Sequence, residues 1–287
     1  MKWLLAVLIA IFGGLIPGTG PAGPDGEEGV TIPLDPLDAD ESGPLPRVTR
    51  ARGSNPPLVV IDPGHGGRDG GAASPHVASP EKSITLALGL AMRDALAATG
   101  RVRVAMTRED DRYLELEQRY QIARRLDADL FISIHADAAP ANDAAHGATI
   151  YTLSEVASDR EAALLASREN ASGRIAGARL SDDPGVNVIL IDLAQRESMN
   201  ISADFAALLH REGTSVFPFR PAWHRFAAFV VLKAPDIPSI LFESGYLTNA
   251  VDARYISSEQ GRRQMAEGMR RAIEAHFARR LVLTARE

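Results

Sequence analysis

The sequence has no cysteine, no excess of basic residues and no long hydrophobic run. Without cysteine, its 287 residues cannot form a disulfide framework, a thiolate nucleophile or a cysteine-based zinc site. Lysine and arginine number 31 against 37 aspartates and glutamates. No nucleic-acid partner is therefore expected, since phosphate binding needs a basic surface. Any metal ion must be held by histidine and carboxylate side chains.

The first 22 residues are predicted to be a signal peptide that exports the chain. Lys2 gives a positive start, an uncharged apolar run follows at 3–16, and small residues and prolines fill 17–22. The apolar run is shorter than the roughly 20 residues that a membrane-spanning helix needs. An uncleaved membrane anchor and a buried core helix are the less favoured alternatives. Without a cysteine after the small residues, the chain also lacks a lipoprotein attachment point.

Residues 23–56 are predicted to be a disordered, acidic, proline-rich linker. The segment has no basic residue before Arg47 and carries seven acidic ones: Asp25, Glu27, Glu28, Asp35, Asp38, Asp40 and Glu41. Such a composition cannot bury enough apolar surface to offset the entropy of ordering. From Arg47 onward acidic and basic residues are equal in number, so the charge of the folded part says little about its partner.

Between residues 57 and 283, apolar β-branched runs alternate with helical patterns. Strands are predicted at 58–61, 101–106, 130–134, 148–152, 229–232 and 239–242, and helices at 80–98, 114–126 and 258–276. Ser79 is expected to cap the first helix, with Pro80 at its first position. The alternation predicts a single α/β domain with a twisted, mostly parallel sheet and helices on both faces.

Residues 154–215 form a long segment that this alternation does not require. An alanine-rich helix is predicted at 154–178, and a second helix with an unusually apolar start at 186–211. The segment could be an ordinary crossover whose apolar face packs on the sheet. It could also be a helical insertion that covers the active site or docks a partner, because apolar patches on inserted elements often mark interaction sites.

Three predicted strands end on residues that could hold a metal ion or act beside one. They bring His65, His135 and Glu243 to their carboxyl ends, where ligands bind in open α/β sheets. A lone loop histidine is usually a polar surface residue, but the glycines around His65 permit a tight turn close to a ligand. His135 could be a satisfied core histidine, although the small, polar residues after it suit an open cleft.

Two glutamates complete the candidate site. Glu81 opens a helix, where it interacts favourably with the helix dipole and can also point back toward the strand ends. Glu243 follows an apolar run in which an unpaired carboxylate would be costly. As a general base it could take a proton from the attacking water and return it to the leaving nitrogen. His76, His146, His210, His224 and His276 are expected to be ordinary residues, with His76 the least secure exclusion.

Five motifs surround these residues, in the order DPGHGGRDGGA at 62–72, EKSITL at 81–86, SIHAD at 133–137, GATIYTLS at 147–154 and ESGYLTN at 243–249. In this combination the chain resembles the zinc-dependent N-acetylmuramoyl-L-alanine amidases of bacterial cell-wall remodelling. Gly70 departs from the proline that many relatives carry. The resemblance spans about residues 57–280 and implies one zinc ion held by His65, Glu81 and His135, with Glu243 catalytic. The implied reaction splits the amide between N-acetylmuramic acid and L-alanine of peptidoglycan.

The resemblance also implies regulation of a periplasmic enzyme. In the cell-division branch, a helix covers the zinc until an activator protein with a degraded metallopeptidase-like domain displaces it. Glu169 is the first choice for the glutamate that fills the open zinc position, with Glu155 and Glu161 as alternatives. The apolar stretch 189–193 is the candidate activator contact. The residues before Leu58 are too few for the separate targeting domain of that branch.

Two other functions remain open at the level of the sequence. An exported zinc carboxypeptidase or endopeptidase acting on stem peptides would need an arginine to grip a free carboxylate, and Arg68 or Arg108 could serve. A non-catalytic peptidoglycan-binding module would tolerate the loss of Glu243.

Overall fold

The computed structural model describes residues 44–139, 142, 144–172 and 188–284. For 172, 188–192 and 282–284 it describes the backbone alone. The predicted signal peptide and the linker as far as residue 43 lie outside this range, as do residues 173–187. No helix in the described ranges has the length and apolarity needed to cross a membrane.

The core of the fold is a six-stranded sheet. In chain order the strands are β1 (Leu58–Pro63), β2 (Arg103–Met106), β3 (Leu130–Asp137), β4 (Ala148–Leu153), β5 (Phe219–Ala227) and β6 (Ser239–Tyr246). Their spatial order is β2-β1-β3-β6-β4-β5. All neighbouring pairs are parallel except β4 and β6, which run antiparallel. The predicted α/β class with a mostly parallel sheet is confirmed.

Helices cover both faces of this sheet. They are α1 (Glu81–Thr99), α2 (Leu116–Arg125), α3 (Arg160–Ser172), α4 (Val188–Gly213), α5 (Ala250–Ser257) and α6 (Glu259–Thr284). Val59 and Ile61 of β1 point to the face that α1, α4 and α6 cover, whereas Leu58 and Val60 point to the face of α2 and α3. Strands β1, β3 and β6 are buried along their whole length, which is why their sequences contain continuous apolar runs.

The prediction for the strand at one edge of the sheet is wrong. A strand was predicted at 229–232, but these residues include the 3-10 helix Val230–Leu232, and the edge strand is instead β5. β5 carries exposed and polar residues along much of its length, so it lacks the apolar run that marks a buried strand. The closing helix predicted at 258–276 is α6, which begins at Glu259 and continues to Thr284. Pro80, not Ser79, occupies the N-cap position of α1.

Part of the predicted linker contacts the domain. Residues 44–56 have no helix or strand, but Thr49 is joined to Val104 of β2 by two hydrogen bonds of 2.8 Å, one through its main-chain N–H and one to its hydroxyl. Arg52 donates its main-chain N–H to Gly100. The ordered contacts of the domain therefore begin before the predicted boundary at residue 57.

The 154–215 segment has a helix in each predicted place, although α3 begins at Arg160 and not at Ser154 as predicted, and both helices pack on the sheet. Ala162, Leu165 and Ala166 of α3 are buried on the face shared with α2. Phe205 and Leu209 of α4 are buried on the opposite face, against α6. The second half of α4 is therefore part of the core. Within the predicted activator contact, only the Leu193 side chain is described, and it is 42% exposed.

Candidate metal centre

His65 lies just beyond β1 in a turn that demands glycine beside it. Its φ of 61° is in the left-handed region, which costs a non-glycine residue about 1 kcal/mol. A Cβ at Gly64 would come within 2.4 Å of the His135 ring, so the segments that carry His65 and His135 can touch only because residue 64 has no side chain. Nδ1 of His65 lies 2.8 Å from Oδ2 of Asp69. This contact fixes the ring and directs Nε2 inward.

Glu81 is the first residue of α1, and it is 3% exposed. Its carboxylate accepts two main-chain hydrogen bonds, from Ala136 at 2.9 Å and from Ala72 at 2.7 Å. These bonds tie the start of α1 to the end of β3 and to the glycine-rich loop. The orientation matches the expectation that a first-turn carboxylate can face the strand ends.

The side chains of His65, Glu81 and His135, named here the triad, converge on one point. Oε1 of Glu81 lies 3.0 Å from Nε2 of His65 and 3.3 Å from Nδ1 of His135. The three candidate ligand atoms are all within 4.8 Å of one another, and all three residues are buried. Among the described residues, neither of these ring nitrogens has a hydrogen-bond partner. Two imidazoles and a carboxylate fit a single metal ion.

The electrostatics of the triad favour a positive charge at its centre. Burial alone would lower the pKa of both histidines. The carboxylates of Glu81, Asp69 and Glu169 outweigh burial and raise the pKa of His65 to about 10. Glu169 and Glu81 raise the pKa of His135 to about 10 in the same way. A divalent cation would take the place of these protons between the carboxylates.

Glu243 sits on β6 directly opposite His135 of β3 in the sheet register. It is 1% exposed, and neither carboxylate oxygen has a hydrogen-bond partner in the described part of the chain. Burial, together with the negative charges of Asp137, Glu81 and Glu169, raises the pKa of Glu243 well above its ordinary value. A carboxylic acid kept in this state beside a cluster of metal-ligand types has the features of a catalytic group.

The carboxylate of Glu169, on α3, lies next to the triad. Its Oε2 lies 3.3 Å from Nδ1 of His135 and 3.5 Å from Nε2 of His65. Glu161, one of the alternatives, faces elsewhere, because its carboxylate pairs with Arg220 at 2.7 Å and Arg225 at 3.0 Å. Glu155 is exposed. Of the three glutamates considered from the sequence, the structure brings Glu169 alone to the triad.

Contacts that the sequence did not reveal attach α3 at both ends. At its start, Asp159 accepts a hydrogen bond from Ala162 and pairs with Arg225 of β5. Toward its end, Arg168 pairs with Asp137 at 2.7 Å. The side chain of Asn170 bonds both Ala228 and Val230. Because Arg225, Asp137, Ala228 and Val230 are distant in sequence from α3, no local pattern could have predicted that they contact it.

Arg108 and Arg68, the two candidates for binding a substrate carboxylate, lie in different surroundings. Arg108 is 1% exposed and donates to the main-chain carbonyls of Pro63 and Gly64, so it holds the turn and cannot reach a substrate. Arg68 is 54% exposed, pairs with Glu115 and lies over the Tyr113 ring.

His76, in the loop between His65 and Glu81, hydrogen-bonds the main-chain oxygen of Thr248. A pocket of about 500 Å³ opens beside the triad, with Arg168 and Glu169 in its lining.

The chain matches known proteins over most of its length. Residues 59–275 match the family model described as N-acetylmuramoyl-L-alanine amidase. The chain is 34% identical to AmiC of Escherichia coli over 83% of its own length and 56% of that protein, so it spans little more than half of AmiC. It is 35% identical to AmiA of Salmonella typhimurium over 77% of its length and 76% of that relative.

A solved structure with a similar fold is AmiC2 of Nostoc punctiforme, described as an N-acetylmuramoyl-L-alanine amidase. It is 27% identical, with a TM-score of 0.56, and the match covers 79% of this chain and 99% of that one. The family model covers most of the chain, and the relatives share about a third of its residues. The chain therefore belongs to the N-acetylmuramoyl-L-alanine amidase family.

Proposed function

We propose that this protein hydrolyses the amide between the lactyl group of N-acetylmuramic acid and L-alanine of the peptidoglycan stem peptide. The observation that carries the proposal is the buried triad beside Glu243, with His65, His135 and Glu243 at the carboxyl ends of neighbouring strands and Glu81 at the start of α1. Membership of the amidase family supports the choice of substrate. The predicted export signal would place the enzyme in the periplasm, where it would act in wall remodelling or daughter-cell separation.

In this proposal His65, Glu81 and His135 hold one zinc ion, because two imidazoles and a carboxylate are a common donor set of catalytic zinc. When bound, the ion supplies Lewis-acid activation of the amide carbonyl and of the attacking water. Glu243 accepts the proton of that water and passes it to the nitrogen that leaves. The products are a free lactyl carboxylate and a free α-amine on L-alanine.

Digestion of purified peptidoglycan tests the activity and Glu243 together. Mass spectrometry should find free stem peptides and intact glycan strands, and Glu243→Gln should lower their release at least about 100-fold, the usual contribution of a general acid-base group. Zinc content should be unchanged in this variant, because the substitution removes no proposed ligand. Shortened stems that remain attached to glycan would contradict the amidase assignment and favour the peptidase, with Arg68 as the remaining candidate grip. Digestion by Glu243→Gln at the wild-type rate would defeat the catalytic assignment of Glu243, whereas no digestion by the wild-type protein or by Glu169→Ala would favour a non-catalytic binding module.

We further propose that the enzyme is autoinhibited by α3. The carboxylate of Glu169 lies 3.3 Å and 3.5 Å from the two triad nitrogens, where it would take the position that substrate needs. One face of α3 is buried against the sheet, and Arg168 and Asn170 attach the later part of the helix to the domain. An activator protein would have to displace these contacts, and the stretch 189–193 remains the proposed place where it binds.

A further inference from the structure

Two buried polar side chains next to each other in the sheet lack partners. Thr149 on β4 and Glu243 on β6 are each 1% exposed. Within the described part of the chain, the hydroxyl of Thr149 and both oxygens of Glu243 have no hydrogen bond. Buried polar groups in folded proteins are nearly always paired, so two such orphans require an explanation.

The sheet register places these two residues opposite each other. Thr149 pairs with Glu243 across the antiparallel β4–β6 ladder, which brings their Cβ atoms to about 5 Å. Both side chains point to the same face, because Ala148 and Ile150 of β4 belong to the opposite core and side chains alternate along a strand. Glu243 in turn pairs with His135. Thr149 therefore extends the row of active-site side chains by one strand.

The function proposed for Glu243 requires it to be ionised at one stage of the reaction. An ionised carboxylate in a dry site is costly unless a donor reaches it. The positive charge of Arg168 favours the ionised form of Glu243. The Arg168 guanidinium, however, donates its hydrogen bonds to Asp137 and Ala138, and Arg168 belongs to α3, the helix proposed to cover the site. A threonine hydroxyl can rotate to donate to a neighbouring carboxylate.

We propose that the hydroxyl of Thr149 donates a hydrogen bond to the Glu243 carboxylate in the active enzyme and orients it toward the attacking water. Thr149 is then a positioning residue, because it acts through Glu243. The inference rests on the proposed function of that glutamate. It gives the buried hydroxyl of Thr149, which has no hydrogen-bond partner in the described part of the chain, a partner in the active enzyme.

An isosteric substitution separates this role from a structural one. Thr149→Val removes the hydroxyl and keeps the β-branched shape. Loss of an unpaired buried hydroxyl should leave stability unchanged or raise it. If Thr149 positions Glu243, kcat on a soluble muramoyl-peptide should fall about tenfold or more, as expected for one hydrogen bond to a charged group. KM should change little, because the hydroxyl faces the glutamate and not the substrate.

Two further variants complete the test. Thr149→Ser restores the donor and should keep kcat within about twofold of the starting enzyme. Thr152→Val removes a hydroxyl from the opposite face of the same strand, where it contacts His224, and should leave kcat unchanged. All variants are made in the full chain, with and without Glu169→Ala, so that the cover does not limit the rate.

Each outcome bears on the inference. Retained kcat in Thr149→Val overturns it, as does an equal loss in Thr149→Ser. A fall in melting temperature that accompanies the loss of rate in Thr149→Val also overturns it, since that indicates a packing role. Undiminished activity of Glu243→Gln would defeat the proposed function itself, whereas an inactive Glu243→Gln with a fully active Thr149→Val defeats this inference alone.

Discussion

His65 and Glu81 depend on a glycine-rich loop that permits very close approach. A Cβ at Gly71 would lie 2.5 Å from a carboxylate oxygen of Glu81 and 2.7 Å from the His65 ring. Gly71 also has a positive φ of 67°. A side chain at residue 71 would therefore collide with Glu81 and His65, so the geometry of the triad depends on glycine at this position.

At this scale the first expectation concerns the metal. The wild-type protein should retain one equivalent of zinc after dialysis, and His65→Ala and His135→Ala should each bind zinc more than about 100-fold more weakly, since loss of a ligand exceeds the usual effect of an outer-shell change. Elemental analysis of the purified variants measures this. His76→Ala is the matched control, because His76 lies in the neighbouring loop and contacts Thr248. A full equivalent in both triad variants would contradict the site.

Beneath the triad, a buried network holds the turn that carries His65. Asp62 accepts hydrogen bonds from Thr107, Ser133 and Arg119, and Arg119 also donates to the carbonyl of His65. Burial opposes ionisation of Asp62, but Arg119 and the two hydroxyls outweigh it and lower the pKa of Asp62 below its ordinary value. The sequence motif contains Asp62, yet nothing local pairs it with an arginine that lies 57 positions away.

At the scale of elements, α3 joins two functions that the sequence presented as alternatives. Its inner face packs on the sheet as an ordinary crossover would, and its Glu169 also reaches the triad. The start of the helix is bound to β5 by Arg220 and Arg225, whereas its later part is attached by Arg168 and Asn170. We expect the later part to be the end that moves.

Loosening that end should raise the activity of the protein alone. Glu169→Ala removes the carboxylate from the triad, and digestion of peptidoglycan should become about tenfold faster or more, because a contact to a charged group is lost from the closed state. Asn170→Ala should have a smaller effect in the same direction. Glu155→Ala, which changes an exposed glutamate before α3, is the control. Unchanged or slower digestion in Glu169→Ala would argue against autoinhibition.

At the scale of the whole molecule, α6 links the stability of the fold to pH. His276 on this helix is 4% exposed and packs against Phe205 of α4 and Phe277. Burial, with a smaller contribution from Arg280, lowers the pKa of His276 from 6.5 to about 4. The ring is therefore neutral in the folded protein under conditions in which the unfolded chain would protonate it.

The sign of the effect follows from proton binding. Above pH 6.5 the ring is neutral in both states. Between pH 6.5 and 4 the unfolded chain binds a proton that the folded one excludes, so stability falls as the pH falls. The loss should reach about 3 kcal/mol at pH 4. Urea unfolding of His276→Leu should show that much less pH dependence than wild type. His146→Leu, at an exposed position, should match wild type, and an equal slope in all three proteins would refute the assignment.

Several features of this protein were determined by the sequence by itself. The α/β class follows from alternating apolar runs and helical patterns, because burial on both faces of a parallel sheet leaves a continuous apolar signature. The candidate residues His65, His135 and Glu243 could be named because each is unusual for its local surroundings, whereas the ligand role of Glu81 came from the family resemblance. The edge strand β5 could not be found, since an exposed strand is not distinguished by its apolar content.

The tertiary structure alone decided which distant side chains meet. It brought Glu169 to the triad, turned Glu161 toward Arg220 and Arg225, and buried Arg108 beneath the turn. It also set Thr149 opposite Glu243. Such contacts depend on strand register and on how a helix lies across the sheet. Strand register and helix placement arise from the packing of the whole core, so no short stretch of sequence determines either of them.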